Sequence, residues 1–478
     1  MKPSSLLGLA LELLAEAAAP GPLPADARAG RFFRARRFLG SRDRRFLSDV
    51  LYSWLRHGGR AAARWRAWAK RAGLSPEPSA SGLDARRAAR LDEVLALARE
   101  GRLPWALGEA LEAARDLSAA GGGASPPGGA RPASLLGALL SDPGAAPSLL
   151  PEGCWPDDPA ERLGAELSLP PWLAERLAAE RGDAEARALA AAFALAAPVD
   201  LRVNLSRVDR ETARTTLEGE IGSPVAATPL SPAGLRLSQR IDLRGTSAWR
   251  EGWIEVEDEG SQLLAFALEA RAGMTVIDAC AGAGGKALAL ADALARDAAG
   301  REPSPGEPGR IVAADVDPAR LERLRQRARR ARVPVSIEAV ALLAGTDPPP
   351  SVPDADLVLL DVPCTGLGAL RRRPETRTLY GPGDVERFRA LQVEILERWC
   401  RRVKPGGRLA YATCSVLRAE NEEVALAFGA RHPDFVPDEP RWARERLPPA
   451  CFEGRSLCLD PVRTGTDGFF LAVWRRTP

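Results

Sequence analysis

Leucine and alanine recur at three- and four-residue intervals through residues 1–120, broken by Pro/Gly at 20–24 and 58–59. This spacing predicts helices, the first carrying Leu6, Ala10, Leu13, Leu14 and Ala17 on one stripe. A Gly/Pro-rich break follows at 121–132, with further proline turns at 143 and 151–159. Pro170-Pro171-Trp172 opens a helical pair that runs to Ala197, proline being tolerated in a first helical turn. After Pro198 the period changes. Leu201-Arg-Val-Asn-Leu205 alternates as a strand, 210–220 reads as a helix, and 225–230 and 234–237 read as short strands. From Ser261 strands and helices alternate, with strands at 275–277, 310–314, 334–339, 356–360, 407–411 and 468–474. Helices fit between them at 285–295, 318–331, 384–403 and 420–431. This order predicts a parallel, doubly wound sheet. The chain thus reads as multidomain: all-α over 1–165, a small α+β segment over 166–258, and an α/β Rossmann-like domain over 259–478. Residues 301–309 (REPSPGEPG) are a loop expansion expected to be disordered.

Composition narrows the class. With 45% hydrophobic and 27% charged residues, the 478-residue chain is ordinary globular protein, which excludes collagen, coiled coil and wholesale disorder. Two histidines exclude HExxH and three-histidine metal sites, and no metal centre is expected. Seven cysteines without a C-x-x-C pair exclude a zinc ribbon and thioredoxin-like chemistry, and free thiols fit a reducing cytoplasm. The longest uncharged apolar run, 188–199, falls short of the ~18 residues of a membrane span. Glu12 and Glu16 interrupt the N-terminal apolar stretch too early for a signal peptide. A cytoplasmic monomer is expected.

The net charge of +3 conceals an asymmetry: residues 31–71 carry +11 and the remainder −8. Phe32, Phe33, Phe38, Phe46, Trp54, Trp65 and Trp68 interleave with that basic run. The charge suits phosphate neutralisation, with Arg36, Arg37, Arg44 and Arg45 as candidate contacts to a nucleic-acid backbone; the aromatics are expected in a helical core. A second run, Arg320–Arg332, reads as the outer surface of a helix.

Three motifs carry chemistry. Val276-Ile-Asp-Ala-Cys-Ala-Gly-Ala-Gly-Gly-Lys286 is a strand, a glycine turn and a helix start, where free N–H groups face a ligand. Asp315 ends the next strand, where an acid suits ribose hydroxyls. The turn is not a P-loop, since no Ser or Thr follows Lys286, but alone it fits a dehydrogenase equally well. Asp361-Val-Pro-Cys364 and Thr413-Cys414-Ser415 each bring a thiol to a strand's carboxyl end, where α/β sites lie. For Cys154, Cys400, Cys451 and Cys458 a buried, inert thiol is expected. Arg371, Arg372 and Arg373 follow the Pro-Cys loop and are candidate contacts to a nucleic-acid backbone.

Together the motifs resemble those of the RsmB (Fmu, Sun) family, bacterial 16S ribosomal RNA cytosine-5 methyltransferases of the NOP/Sun group. The matching elements are D-A-C-A-x-x-G-G-K (278–286), D-x-P-C-x-G (361–366), R-R-x-P-E (371–375), K-P-G-G (404–407), Y-A-T-C-S-V (411–416), E-N-E (420–422) and D-G-F-F (467–470). The resemblance implies a NusB-like N-terminal domain before a class I methyltransferase domain. It implies S-adenosylmethionine held by Cys280, Ala281, Gly282, Ala283, Gly284, Gly285, Lys286, Asp315 and Asp361. It makes Cys414 the nucleophile on cytosine carbon 6, Asp361 the contact near N3, and Cys364 the group that assists proton removal or release. In E-N-E, Glu420 is expected to start a helix. The sequence departs from the family at Ala283-Gly284 and Ala287, where Pro and Thr are usual, and no aspartate follows the third strand, where Glu338-Ala-Val-Ala-Leu342 stands. Two alternatives stay open: a non-catalytic RNA-binding assembly factor that keeps the fold, and a transfer-RNA cytosine-5 methyltransferase.

Overall fold

The computed structural model describes residues 155–300 and 308–478 throughout, and most of 25–57 with a few positions before them. The glycine-rich break at 121–132, Cys154, Trp54, Trp65, Trp68 and loop residues 301–307 lie outside the described residues. Two compact units divide the chain: 1–195 with 373–379, and 196–372 with 380–478.

In the first unit, helix α1 (Ala25–Ala35) places Ala29 and Phe32 in a core with Leu13, Leu39, Leu47 and Leu51. Helices α2 (Pro159–Leu167), α3 (Pro171–Arg181) and α4 (Asp183–Ala194) follow. Asp158 caps α2 by accepting from Glu161 N at 2.8 Å, and Pro171 occupies the first turn of α3.

The second unit opens with an antiparallel sheet in the order β2 (Val225–Ala227), β3 (Gly234–Leu237), β1 (Val199–Val203), β4 (Ile254–Val256). Helix α5 (Arg210–Ile221), capped by Asp209 and ended by left-handed Gly222, covers one face. Leu201, Val203, Leu217, Leu235 and Ile254 form that core. The opposite face of β1 is polar but equally buried. Arg202 pairs with Glu257 at 2.8 Å and donates to Asn204 Oδ1 at 2.7 Å.

Helix α6 (Glu259–Ala267) leads into a nine-stranded sheet. Five strands are parallel, in the order β7 (Ser336–Ala341), β6 (Arg310–Asp315), β5 (Thr275–Asp278), β8 (Ala355–Asp361), β9 (Val403–Thr413). The expected all-parallel sheet is corrected here. Strand β13 (Phe469–Arg476) runs antiparallel beside β9, and β10 (Phe435–Asp438), β11 (Phe452–Glu453) and β12 (Ser456–Leu459) extend that edge antiparallel. A helix at 422–431 separates β9 from β10, and β10 and β12, each antiparallel to β13, run in the direction of β9, so β13, the last strand, enters the sheet from their carboxyl ends. Helices α7 (Gly285–Gly300), α8 (Pro318–Ala331), α9 (Pro382–Trp399) and α10 (Glu422–Arg431) complete the layers. Alternation along β8 sends Leu357 and Leu359 to one core and Val358 and Leu360 to the other. The strand order reverses between β5 and β8, which opens a crevice at their carboxyl ends.

The arginine run on α8 is not merely an outer surface. Arg327 pairs with buried Glu255 of β4 at 3.0 Å, Arg330 pairs with the same carboxylate, and Arg332 reaches Glu251 at 2.9 Å. These pairs tie the small sheet to the large one. Among the described residues, no helix is long and apolar enough to cross a membrane.

Candidate active site

At the end of β5 the chain turns through 279–284 and enters α7. Gly284 has φ +84°, and a Cβ there would lie 2.6 Å from Leu324 Cγ of α8. Only glycine both adopts this backbone and lets the turn close onto α8. The turn is tied to β6: Ala281 N donates to Ala314 O at 2.9 Å, and Gly282 N donates to Asp315 Oδ2 at 2.8 Å. Asp315 Oδ1 accepts from Asp317 N at 2.8 Å. Asp278 is buried beneath the turn, and its Oδ1 has no hydrogen-bond partner. Burial, then the nearby Asp361 charge, push its carboxyl up to about 7. Burial, followed by the charges of Asp278 and Asp361, likewise raises the Cys280 thiol.

Lys286, in the first turn of α7, is buried and donates to Asp361 Oδ2 at 2.7 Å. Burial opposes its charge, but the Asp361 carboxylate outweighs it and raises the ammonium pKa. The Phe469 ring centre lies 5.5 Å from its Nζ.

Strands β8 and β9 are adjacent and parallel, with Asp361 opposite Ala412. Their carboxyl ends therefore deliver both cysteine loops to one place, and the Cys364 and Cys414 sulfurs are 3.4 Å apart as free thiols. The hydrogen bond with Cys364 lowers the Cys414 pKa and raises that of Cys364; burial raises both, and Lys286 adds to the lowering at Cys414. Cys414 is the more acidic thiol of the pair. The closing D-G-F-F motif braces its loop: Gly368 N donates to Cys414 O at 2.9 Å, and Gly468 N to Gly368 O at 2.8 Å. Cys400, Cys451 and Cys458 are buried elsewhere.

Glu420 does not start a helix. Helix α10 begins at Glu422, and the Glu420 carboxylate turns inward between the two cysteine loops. Sequence reasoning omitted Asp278 and Phe469 from the site, although both lie within quoted motifs; Gln392 of α9, which donates to Pro363 O at 3.0 Å beside Cys364, lies in no motif, and nothing in the sequence marks it.

The arginines divide by environment. Arg371 is buried, donating to Gly465 O at 2.8 Å and pairing with Asp467 at 3.3 Å. Arg372 bridges Asp467 and Asp258, each at 2.5 Å. Their hydrogen bonds are spent inside the protein, which corrects their expected role on RNA; Arg373 is exposed. In the N-terminal unit, Arg36 pairs with Glu12 at 2.9 Å and lies 3.7 Å over the Phe32 ring, and Arg44 donates to Leu39 O at 2.9 Å. Arg37 and Arg45 are exposed.

A glycine turn at a helix start, an acid ending the neighbouring strand and a mixed sheet closed by an antiparallel strand define a Rossmann-like methyltransferase. Two family descriptions match the chain: "16S rRNA methyltransferase RsmB/F" over residues 265–475, and the RsmF/B-like ferredoxin-like domain over 169–244. The chain belongs to the RsmB/F family. It is 30% identical over 322 residues to the probable ribosomal RNA small subunit methyltransferase B of Bacillus subtilis, covering 67% of this chain and 69% of that protein. The crystal structure of PH0851 shares the fold, with TM-score 0.70 and 24% identity, covering 100% of this chain and 99% of that one. NSun6 from Pyrococcus horikoshii, solved with SFG, an S-adenosylmethionine analogue, superposes with TM-score 0.54 and 19% identity over 64% of this chain and 97% of that one.

The cofactor is S-adenosylmethionine. The residues present fit it: the free Asp278 oxygen, the Asp315 carboxylate and the N–H groups opening α7 offer acceptors and donors for an ammonium, ribose hydroxyls and a carboxylate.

Proposed function

We propose that this protein methylates carbon 5 of a cytosine in 16S ribosomal RNA through a covalent Cys414 adduct. The observation that carries this reading is the pair of thiols 3.4 Å apart, with Cys414 the more acidic, beside the Lys286–Asp361 ion pair. Carbon 5 of cytosine is a poor nucleophile. Addition of the Cys414 thiolate to carbon 6 breaks the 5,6 double bond and makes carbon 5 electron-rich. Asp361 faces N3 and steadies the charge developing there, held in place by Lys286. Bound cofactor supplies the electrophilic methyl group. Cys364 assists removal of the carbon 5 proton, and the electron pair left behind restores the double bond and expels the Cys414 thiolate.

Residues 1–165 act as a NusB-like RNA-binding domain, 166–258 as the small α+β domain and 259–478 as the catalytic domain. Arg37 and Arg45 meet the RNA backbone, as does Arg373. Family membership supports a cytoplasmic place of action.

Two variants test the chemistry. Cys414→Ala is expected to abolish methyl transfer to 16S RNA while S-adenosylhomocysteine still binds in calorimetry. Cys364→Ala is expected to accumulate an RNA–protein adduct on denaturing gels that Cys364→Ala/Cys414→Ala does not form. Full activity in the Cys414 variant refutes the nucleophile assignment.

A further inference from the structure

Glu420 is fully buried between the loops that carry the two thiols. Its Oε1 accepts from Thr365 N at 2.8 Å and from Gln392 Nε2 at 3.1 Å. Its Oε2 accepts from Thr365 Oγ1 at 2.5 Å and from Ser415 Oγ at 2.6 Å. A carboxylate offers about four lone-pair positions, and all are used. Thr365 directly follows Cys364 and Ser415 directly follows Cys414, so each thiol has a neighbour bonded to this one group. Gln392 of α9 also donates to Pro363 O at 3.0 Å, which secures the other side of Cys364. The Tyr411 hydroxyl donates to the Glu420 carbonyl, and Asn421 Nδ2 donates to Ser415 O at 3.1 Å.

We propose that Glu420 is a positioning residue for the thiol pair: through Thr365 and Ser415 it holds Cys364 and Cys414 in register without itself touching the base. The proposal rests on Cys414 being the nucleophile. A buried carboxylate is costly to desolvate, and a neutral side chain of similar size fills the same space. Its use here matches a need to hold two loops by one rigid, fully bonded acceptor. The groups facing Cys414 are Cys364 and Lys286, which favour its thiolate, and Asp361 and Glu420, which oppose it. Cys364 faces Cys414, Glu420 and the Tyr411 hydroxyl. Glu420 thus acts on the thiols twice, by position and by charge, and the two effects separate by experiment.

The full-length protein is compared with Glu420→Gln and Glu420→Ala. Alkylation of Cys414 by iodoacetamide is followed against pH by peptide mass spectrometry. Methyl transfer to 16S RNA gives kcat and KM, and S-adenosylhomocysteine binding reports an intact fold. Glu420→Gln keeps the shape and loses the charge, so its alkylation midpoint moves to lower pH, by about half a unit or more, with analogue affinity within about twofold. Glu420→Ala releases both loops, so kcat falls at least about tenfold while KM for the cofactor is unchanged, and Gln at this position restores part of the loss. Wild-type midpoint and kcat in both variants overturn the proposal. If the Ala variant does not fold, an unshifted midpoint in Glu420→Gln overturns it alone. Retained methylation in Cys414→Ala refutes the proposed chemistry separately, because the alkylation midpoint still reports on Glu420.

Discussion

Gly368→Ala adds one methyl group at the point where the Pro-Cys loop, the Cys414 loop and the closing motif meet. A Cβ there would lie 2.3 Å from Gly468 O and 2.7 Å from Cys414 O. Both are backbone atoms, so neither contact is relieved by a rotamer change. Clearing them requires the strands of chain to part by about 1 Å. That movement breaks the Gly368 N to Cys414 O bond of 2.9 Å and the Gly468 N to Gly368 O bond of 2.8 Å. Overpacking costs ~1–3 kcal/mol and each buried group left unbonded ~1–3 kcal/mol, so a loss of at least ~3 kcal/mol is expected. The same chemical change at Gly219, exposed on α5 with nothing within 4 Å, has the opposite sign. There alanine adds helix propensity and stabilises by ~0.5–1 kcal/mol. Urea unfolding followed by tryptophan fluorescence measures both, and single-turnover methyl transfer shows whether the Cys414 loop has moved. Gly368→Ala is expected to lower the urea midpoint and to slow methyl transfer by about a hundredfold or more. A Gly368→Ala protein as stable and active as wild type refutes the reasoning.

Asp278 has a folded-state value of about 7 against an ordinary 3.8, so the native state holds its proton more tightly than the unfolded chain does. Its contribution to stability is full below about pH 4 and is lost as pH rises to about 7. In thermal scans without cofactor, the Tm advantage of Asp278→Asn over wild type is therefore expected to grow between about pH 5 and pH 8; a constant difference contradicts the assignment. Arg372→Ala leaves buried Asp258 and Asp467 facing each other, and a loss of ~3 kcal/mol or more is expected, partly recovered by Asp467→Asn in the double variant. Arg373→Ala is expected to leave Tm unchanged while weakening 16S RNA binding and reducing its salt slope by about one, whereas Arg371→Ala lowers Tm; equal effects from the two remove the distinction between exposed and buried arginine.

Much of the fold was legible because helices and strands here follow local periodicity. The predicted strand at 356–360 is part of β8, and the predicted helix at 318–331 coincides with α8. The antiparallel edge was not legible. Strands β10, β11 and β12 are short, and their pairing with β13 and with each other depends on partners far along the chain. The arginines show the same limit. Arg371, Arg372 and Arg373 are equivalent as letters, but burial against Asp467 separates the first two from the third. Glu420 was visible as part of a motif, and its inward turn was not, because the groups that donate to it lie on three separate segments of chain.

By itself the sequence determined the order of elements, the glycine turn and acid of a cofactor site, and two thiols at strand ends, because each of these is fixed by residues close together in the chain. Only the tertiary structure decided which charges are spent internally. The alternation in Leu201-Arg-Val-Asn204 separates an apolar from a polar face, yet Arg202 on the polar face is buried against Glu257. Strand periodicity tells which side chains share a face, and what covers that face is set by a segment tens of residues away. The 3.4 Å between Cys364 and Cys414 has the same origin: 50 residues separate them, and the parallel pairing of β8 with β9 brings them together.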